Sequence, residues 1–330
     1  MDEIARVDPL DVDLDLADRL AAVDAASHAH AGLEIRPPNG PGRLTYLQHG
    51  NEGRPVDGLW VARSDGAEVG WVLADLPWRD NLEMAGVRGV VHPEVRRRGI
   101  GGRLLDQAVG FAAGQGRGAI HSGAFVGTDG GGFLERRGFT SDGQHVYAIR
   151  RLDLHSGSWD RLYDEAAAVA ADYELVHVVG PTPDALLDGM VSLHEALNDA
   201  PADEGTEPSV WDADRVRVYD ERMTKRRQTT YRVLARHAPT GAWAGMSLLC
   251  VDEFAPSVAG QEDTSVVRSH RGHRLGLLMK SDMNRWLAEQ RPEVVATETW
   301  NATDNHHMIA VNERLGCRVV AQQAGYRRVL

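Results

Sequence analysis

The chain has 330 residues, 36 Lys+Arg against 48 Asp+Glu, a net charge of −12 and two cysteines. Such an acidic chain lacks the positive face that sequence-independent nucleic-acid binding requires, and Cys250 and Cys317 cannot build a disulfide framework or a four-cysteine zinc site. No apolar run approaches the roughly 20 residues that span a bilayer, and the acidic start (MDEIARVDPLDVDLDLADRL) has neither a basic nor an apolar leader region, so a cytoplasmic location away from membranes is expected.

In chain order, Leu14–Ala31 reads as a helix, and strands follow near Leu59–Arg63 and Glu68–Leu76. The β-branched run Gly86–His92 reads as a strand. After a short Arg/Gly segment comes an amphipathic helix with Ile100, Leu104, Leu105, Ala108, Phe111 and Ala112 on one face. A strand near Gly118–Ser122, a glycine run at 127–132 read as a mobile loop, and a short helix ending at Gly138 complete the first half. Leu152 to Ala171 is expected to be a helical connector packed on a domain.

The second half repeats this order. A helix over Asp184–Asn198 is started by Thr182-Pro183, and strands near Tyr231–His237 and Trp243–Val251 are divided by the turn Pro239-Thr240-Gly241. A strand at Thr264–Val267 precedes a helix with Leu275, Leu278, Met279, Met283, Trp286 and Leu287 on one face. Val294–Thr299 reads as a strand, and a last short helix ends at Gly316.

The halves align residue by residue. Placing Arg96 on Arg271 pairs Val91 with Val266, Ile100 with Leu275 and Gly101 with Gly276, at a separation of 175 residues. Glu135-Arg136-Arg137-Gly138 lies downstream of the first segment and Glu313-Arg314-Leu315-Gly316 downstream of the second. The interval from the arginine to that glycine is 42 residues in one copy and 45 in the other. Two matches in the same order at nearly equal spacing indicate a duplicated domain. The expected division is 1–152, a connector over 153–171, and 172–330.

A strand, an Arg/Gly loop and a helix together make an anion site. Amide protons at the helix start point outward, and the helix dipole favours negative charge there. Arg96, Arg97 and Arg98 add positive charge in the first copy, and Arg268, Arg271 and Arg274 in the second. The expected ligand is a pyrophosphate. A Walker loop is absent, and Gly99-x-Gly101 lacks the third glycine and the later acid of a dinucleotide fingerprint.

The segment Arg96-Arg97-Arg98-Gly99-Ile100-Gly101 after a V-V-x-P strand resembles the pyrophosphate loop of the GNAT N-acetyltransferase superfamily. Arg271-Gly272-His273-Arg274-Leu275-Gly276 resembles it too, with Arg274 in place of the first glycine. The resemblance implies an α/β fold with a mixed sheet, present as two tandem GNAT domains. It implies acetyl-CoA as co-substrate, with no metal, and direct transfer of the acetyl group to an amine. Val91, His92, Arg96, Arg97, Arg98, Gly99, Ile100, Gly101 and Gly102 would hold coenzyme in the first domain. Val266, Val267, Arg268, Arg271, Gly272, His273, Arg274, Leu275 and Gly276 would do so in the second, joined by Asn301 and Asn305, which would contact the pantetheine or cap the last helix.

An alkyl amine has a pKa near 10, so a general base is expected. The resemblance places an acid on the strand before the loop. Glu262 and Asp263 are the candidates in the second domain; being adjacent, only one would face the cleft, and Glu262 is preferred for its reach. Glu83 is the comparable acid of the first. Where the family commonly keeps a thiol-protonating tyrosine, the chain has Leu134 and Asn312. That leaves Tyr326, Cys317 or water for the role. Asp199, Asp203, Glu204 and Glu207 are expected at an acceptor wall or in a solvated loop, and Met190, His194, Trp211 and Tyr219 to line the same wall or simply pack. The resulting expectation is a small-molecule N-acetyltransferase favouring a cationic acceptor, acting as a monomer or homodimer, with catalysis in the C-terminal domain. The alternatives are a non-catalytic acyl-CoA-binding regulator or scaffold and a protein or peptide N-acetyltransferase.

Overall fold

The computed structural model describes residues 2–141, 146–155, 157, 159–199 and 206–330. The chain forms two compact units: residues 1–147 with 321–330, and residues 148–320. The expected boundaries at 152 and 171 treat the halves as consecutive stretches; the observed units are not consecutive.

The first unit contains β1 (Glu3–Val7), α1 (Leu14–His30), α2 (Gly40–His49), β2 (Gly58–Ser64), β3 (Ala67–Asp75), β4 (Met84–Val91), α3 (Ile100–Gly114), β5 (Ala119–Phe125) and α4 (Asp129–Arg136). Its strands run in the order β1-β2-β3-β4-β5 and are completed by β12 (Arg318–Val329), which lies antiparallel to β5 from Gln323 opposite Phe125 to Val329 opposite Ala119. Two apolar layers cover the sheet. Leu16, Leu20 and Leu47 of α1 and α2 pack with Leu59, Trp71 and Leu73. Ile100, Leu104, Leu105 and Ala108 of α3 pack with Val72, Val87 and Ile120. Each Leu or Ile so buried contributes about 1.5–3 kcal/mol.

The second unit contains β6 (Val146–Asp153), α5 (Trp159–Ala167), β7 (Tyr173–Val179), α6 (Leu187–Glu195), α7 (Ala213–Lys225), β8 (Gln228–His237), β9 (Trp243–Asp252), β10 (Val258–Val266), α8 (Leu275–Gln290), β11 (Ala296–Ala302) and α9 (His306–Arg314). Its strand order is β6-β11-β10-β9-β8-β7. The connector packs on this unit: Trp159, Leu162 and Ala166 of α5 join Leu152 and Leu154 in the core under α8. On α8, Lys280, Ser281 and Asn284 are buried as well as the expected apolar face. Burial pulls the Lys280 amine down to about 8.

The glycine run is not a loop. Gly127 turns the chain with a φ of +81°, Thr128 caps α4, and Gly130 to Gly132 lie in its first turn. A Cβ at Gly131 would run into the Tyr326 hydroxyl, so glycine lets Tyr326 of β12 approach the helix closely.

Candidate functional site: two phosphate loops and one acidic bulge

Each unit has a parallel strand pair that separates. β4 pairs with β5 only at Met84, Ala85 and Gly86, opposite Ala119, Ile120 and His121. β10 pairs with β11 from Val258 to Gln261, opposite Ala296 to Thr299. Gly86 and Gln261 match at the 175-residue offset, so both sheets open at the same point. Past it, the backbone edges of 87–91 and 262–266 face a gap where an extended chain can pair like an added strand.

The gap leads to the loops. A single 3₁₀ turn follows each strand, at Pro93–Val95 and Arg268–His270, and α3 or α8 then begins. Neither helix has a side-chain N-cap, whereas Asp13, Asn39, Asp212 and Asn305 cap α1, α2, α7 and α9. The first amides of α3 and α8 therefore remain available to an anion. A Cβ at Gly99 or Gly276 would meet nothing within 4 Å, and the space above the amides is open. The cradle fits a diphosphate in both units.

Left-handed residues shape both loops at matching positions. They are Arg97 (φ +65°) and Gly99 (φ +81°) in the first, and Gly272 (φ +88°) and Arg274 (φ +55°) in the second. The departure at Arg274 is thus offset by a glycine at 272, and the path of the chain is kept. A non-glycine residue in this region costs about 1–2 kcal/mol, once per loop.

The first arginine of each loop braces it. Nε of Arg96 donates to the Val91 carbonyl and Nε of Arg271 to that of Val266, at 3.1 Å in both. Nη2 of Arg96 donates to the neutral Ser27 hydroxyl at 2.8 Å. Nη2 of Arg271 donates to the Asp199 carboxylate at 2.6 Å, and Arg268 stands 3.9 Å from the same oxygen. Asp199 thus lowers the positive charge of the second loop. Arg97 lies 3.8 Å from Asp129, both well exposed. Asp203 and Glu204 lie outside the described residues.

The strands before the loops differ. β4 follows β3 without interruption, and Arg88 pairs with Asp75. Glu83 is exposed at the far end of β4, where its carbonyl receives the Gly118 and Ala119 amides. β10 carries a bulge: Gln261 opposes Leu249 and Thr264 opposes Ser247, so two residues, Glu262 and Asp263, occupy one partner position. The expected alternation of these acids is therefore broken. Glu262 is exposed and Asp263 half-buried. Burial, and then the Glu262 charge, push the Asp263 carboxyl up to about 7, against a weaker opposing effect of Arg222. Burial first, and then these acids among other groups, raise the Tyr219 hydroxyl and the Cys250 thiol as well. Asp263 thus keeps partial solvent contact while burial raises its carboxyl.

Behind it, His194 is buried and stacks on Trp211 with ring centroids 3.9 Å apart. Burial pulls it down to about 3, with Arg232 and Arg215 adding to the effect, so it is neutral. Arg232 and Asp220 form a buried ion pair. Asn305 caps α9 through its side-chain oxygen, which accepts from the Met308 amide at 3.2 Å. Asn301 accepts from Asn312 at 2.7 Å, tying β11 to α9. Sequence reading did not single out the Asp199–Arg271 pair, Tyr173 or His237.

The Acetyltransferase (GNAT) domain model matches residues 55–141. An uncharacterized N-acetyltransferase of Methanocaldococcus jannaschii is 34% identical over 93 residues, 26% of this chain and 40% of that protein. The match thus spans well under half the length of that relative. Among solved structures, a tandem GNAT protein from the clavulanic acid biosynthesis pathway is 26% identical with a TM-score of 0.84, covering 100% of this chain and 98% of that one. A GCN5-related N-acetyltransferase from Sphaerobacter thermophilus has the same fold at 16% identity, with a TM-score of 0.69 over 99% of this chain and 95% of that one. Residues 55–141 thus match the GNAT acetyltransferase domain, and the chain as a whole has the fold of a tandem GNAT protein.

Proposed function

We propose that the chain moves an acetyl group from acetyl-CoA directly to the amine of a small molecule, with catalysis in the second unit. The observation that carries this reading is the Asp263 carboxyl, raised to about 7 in a bulge at the mouth of the strand gap, three residues before Val266. A base with this value is well matched to deprotonating an ammonium near neutral pH. Bound coenzyme would supply a thioester carbonyl for the amine to attack; as the C–N bond forms the C–S bond breaks, and the coenzyme leaves as its thiolate, which takes a proton from water. Asp263 takes the proton, directly or through one water, and Glu262 keeps the neighbourhood negative, which favours a cationic acceptor. The amides at the start of α8 hold the diphosphate and fix the reach of the donor along β10. Asp263 replaces Glu262 as the preferred base, because burial raises the affinity of the Asp263 carboxyl for a proton.

The first unit supports a second reading for itself: coenzyme binding without turnover. Its loop is intact, but Arg88, held by Asp75, stands on the uninterrupted strand where the second unit has Asp263. The test is thioester consumption with a panel of amines, comparing wild type with Asp263→Asn. Loss of turnover with retained coenzyme binding supports the assignment, and full activity removes Asp263 as the base.

A further inference from the structure

Four rings gather at the second loop and have no counterpart in the first. Tyr173 of β7 stands with its ring centroid 5.1 Å from His237 of β8, 5.7 Å from His270 and 5.4 Å from His273; His237 and His270 are 5.2 Å apart. His270 closes the 3₁₀ turn of the loop, and His273 lies one residue before Arg274. The matching residues of the first loop are Val95 and Arg98. The Tyr173 hydroxyl and Nδ1 of His270 share a hydrogen bond at 3.0 Å, so the other ring nitrogen of His270 is the one left for a ligand. Nδ1 of His237 is likewise engaged, 2.8 Å from the Thr240 hydroxyl. His273 is exposed. Among the described residues, no group of three or more His, Cys, Asp and Glu side chains is arranged to hold a metal ion.

The charges around the cluster define what it can take. Asp172 stands just before β7 and Tyr173 opens it, and Arg236 and His237 come from β8. Arg268, His270, Arg271, His273 and Arg274 come from the loop itself. Asp199 engages Arg271 and approaches Arg268, so the imidazoles and Arg274 are the cations that can be added to the loop's grip. Burial, and then His237 and His273, hold His270 below the ordinary histidine value. A dianion placed among these rings would reverse that repulsion and draw protons in.

We propose that Tyr173, His237, His270 and His273 form an accessory subsite for a phosphate monoester beside the second diphosphate loop. Its ligand is the 3′-phosphate on the nucleotide half of the coenzyme, gripped more tightly as pH falls. The subsite rests on the coenzyme reading of the second loop and deepens it. Neutral imidazoles offer one N–H donor each; protonation makes each ring a cation with two. Binding the monoester therefore takes up protons at neutral pH, and affinity rises toward pH 6.

The test is calorimetric titration of the full chain with CoA and with 3′-dephospho-CoA, at pH 6 and pH 8, in buffers of different ionisation enthalpy. The first loop, without the rings, is the internal control. At the second site CoA binds about tenfold more tightly than 3′-dephospho-CoA at pH 6, the size of one charge-assisted contact, and the advantage shrinks to about twofold at pH 8. Proton uptake accompanies only CoA. His270→Gln reduces the advantage and the uptake while leaving 3′-dephospho-CoA binding unchanged, and His273→Gln weakens CoA more than it weakens 3′-dephospho-CoA. Tyr173→Phe leaves the ring in place, frees Nδ1 of His270 and alters the pH dependence. Equal affinities for the two ligands at pH 6 overturn the subsite alone. A second loop that takes neither ligand overturns the coenzyme reading and the subsite together.

Discussion

The two phosphate loops follow one backbone path with different side chains on it. In both, residues in the left-handed region sit two apart, an arginine Nε returns to the strand carbonyl five residues back, and an uncapped helix follows. The first loop spends its glycine at 99 and braces Arg96 on a hydroxyl. The second has its glycine at 272 and braces Arg271 on a carboxylate. The strand before the first loop is regular and carries Arg88; the strand before the second is bulged and carries two acids. The anion cradle therefore requires a backbone shape, which both copies keep. The acid chemistry depends on a strand defect, which only the second copy has. Duplication preserves the first more readily than the second, because many sequences trace the loop, whereas the bulge changes which side chains enter the gap.

The largest effect that tests this contrast is at the bulge. Asp263→Asn lowers kcat by about 10²–10⁴-fold, the contribution expected of a general base, with coenzyme affinity unchanged in a direct titration. In wild type, kcat/KM rises with pH up to about 7, where the Asp263 carboxyl ionises. The same substitution raises stability. The carboxyl is raised above its unfolded value of 3.8, so the folded state loses stability as pH climbs from there through about 7. Asp263→Asn accordingly has the higher Tm at pH 8 and no advantage near pH 3. A variant less stable than wild type at pH 8 contradicts the strained carboxylate.

A smaller effect sharpens the difference in charge. Asp199→Asn releases Arg271 and Arg268 to the ligand and tightens the second site about twofold to fivefold at low salt, within the about 0–1 kcal/mol of an exposed pair. Ser27→Asp gives the first loop the same carboxylate and weakens it by a similar factor. Salt titration of both variants checks the origin, since the differences shrink as ionic strength rises. If neither variant changes affinity, the carboxylate does not tune the loop.

The smallest effect concerns backbone shape. Arg97→Gly and Arg274→Gly relieve a left-handed residue in each loop, and each shifts stability by at most about 1 kcal/mol, since glycine also loses more chain entropy. Gly99→Ala and Gly272→Ala cost about 1 kcal/mol each. Thermal unfolding of the four variants shows whether the glycine and arginine are interchangeable between the two positions.

Much of this was legible in the sequence, for a physical reason. Loop and helix are local: the R-x-x-G-x-G run and the 3.6-residue spacing of α3 and α8 lie within one stretch of chain. The repeat located both, with strand ends matched to within a few residues. The exchange that sends residues 321–330 to the first unit and 148–153 to the second was not legible, because β6 and β12 were not read as strands and nothing in a strand's own residues states which sheet it joins. β1 and β7 were missed as brief edge strands. α2 and α7 were missed because α2 opens on Gly40-Pro41-Gly42 and α7 buries only Val216, Asp220 and Met223. The bulge escaped because two adjacent acids in a regular strand would face opposite ways. The brace that Asp199 makes was not legible, because it joins residues 72 apart. The glycine run looked like loop because the Tyr326 contact that glycine permits comes from the far end of the chain.

The central claim is that two loops hold coenzyme and one unit uses it. Steady-state thioester consumption by Gly101→Glu and Gly276→Glu, with an accepted amine, tests it most directly. A Cβ at Gly276 meets open space, and one at Gly101 makes only ordinary contacts at 3.6 Å, so each glutamate repels the diphosphate without disturbing the helix behind it. Turnover is expected to survive Gly101→Glu and to be lost in Gly276→Glu. Survival in Gly276→Glu together with loss in Gly101→Glu would contradict the account and place the chemistry in the first unit.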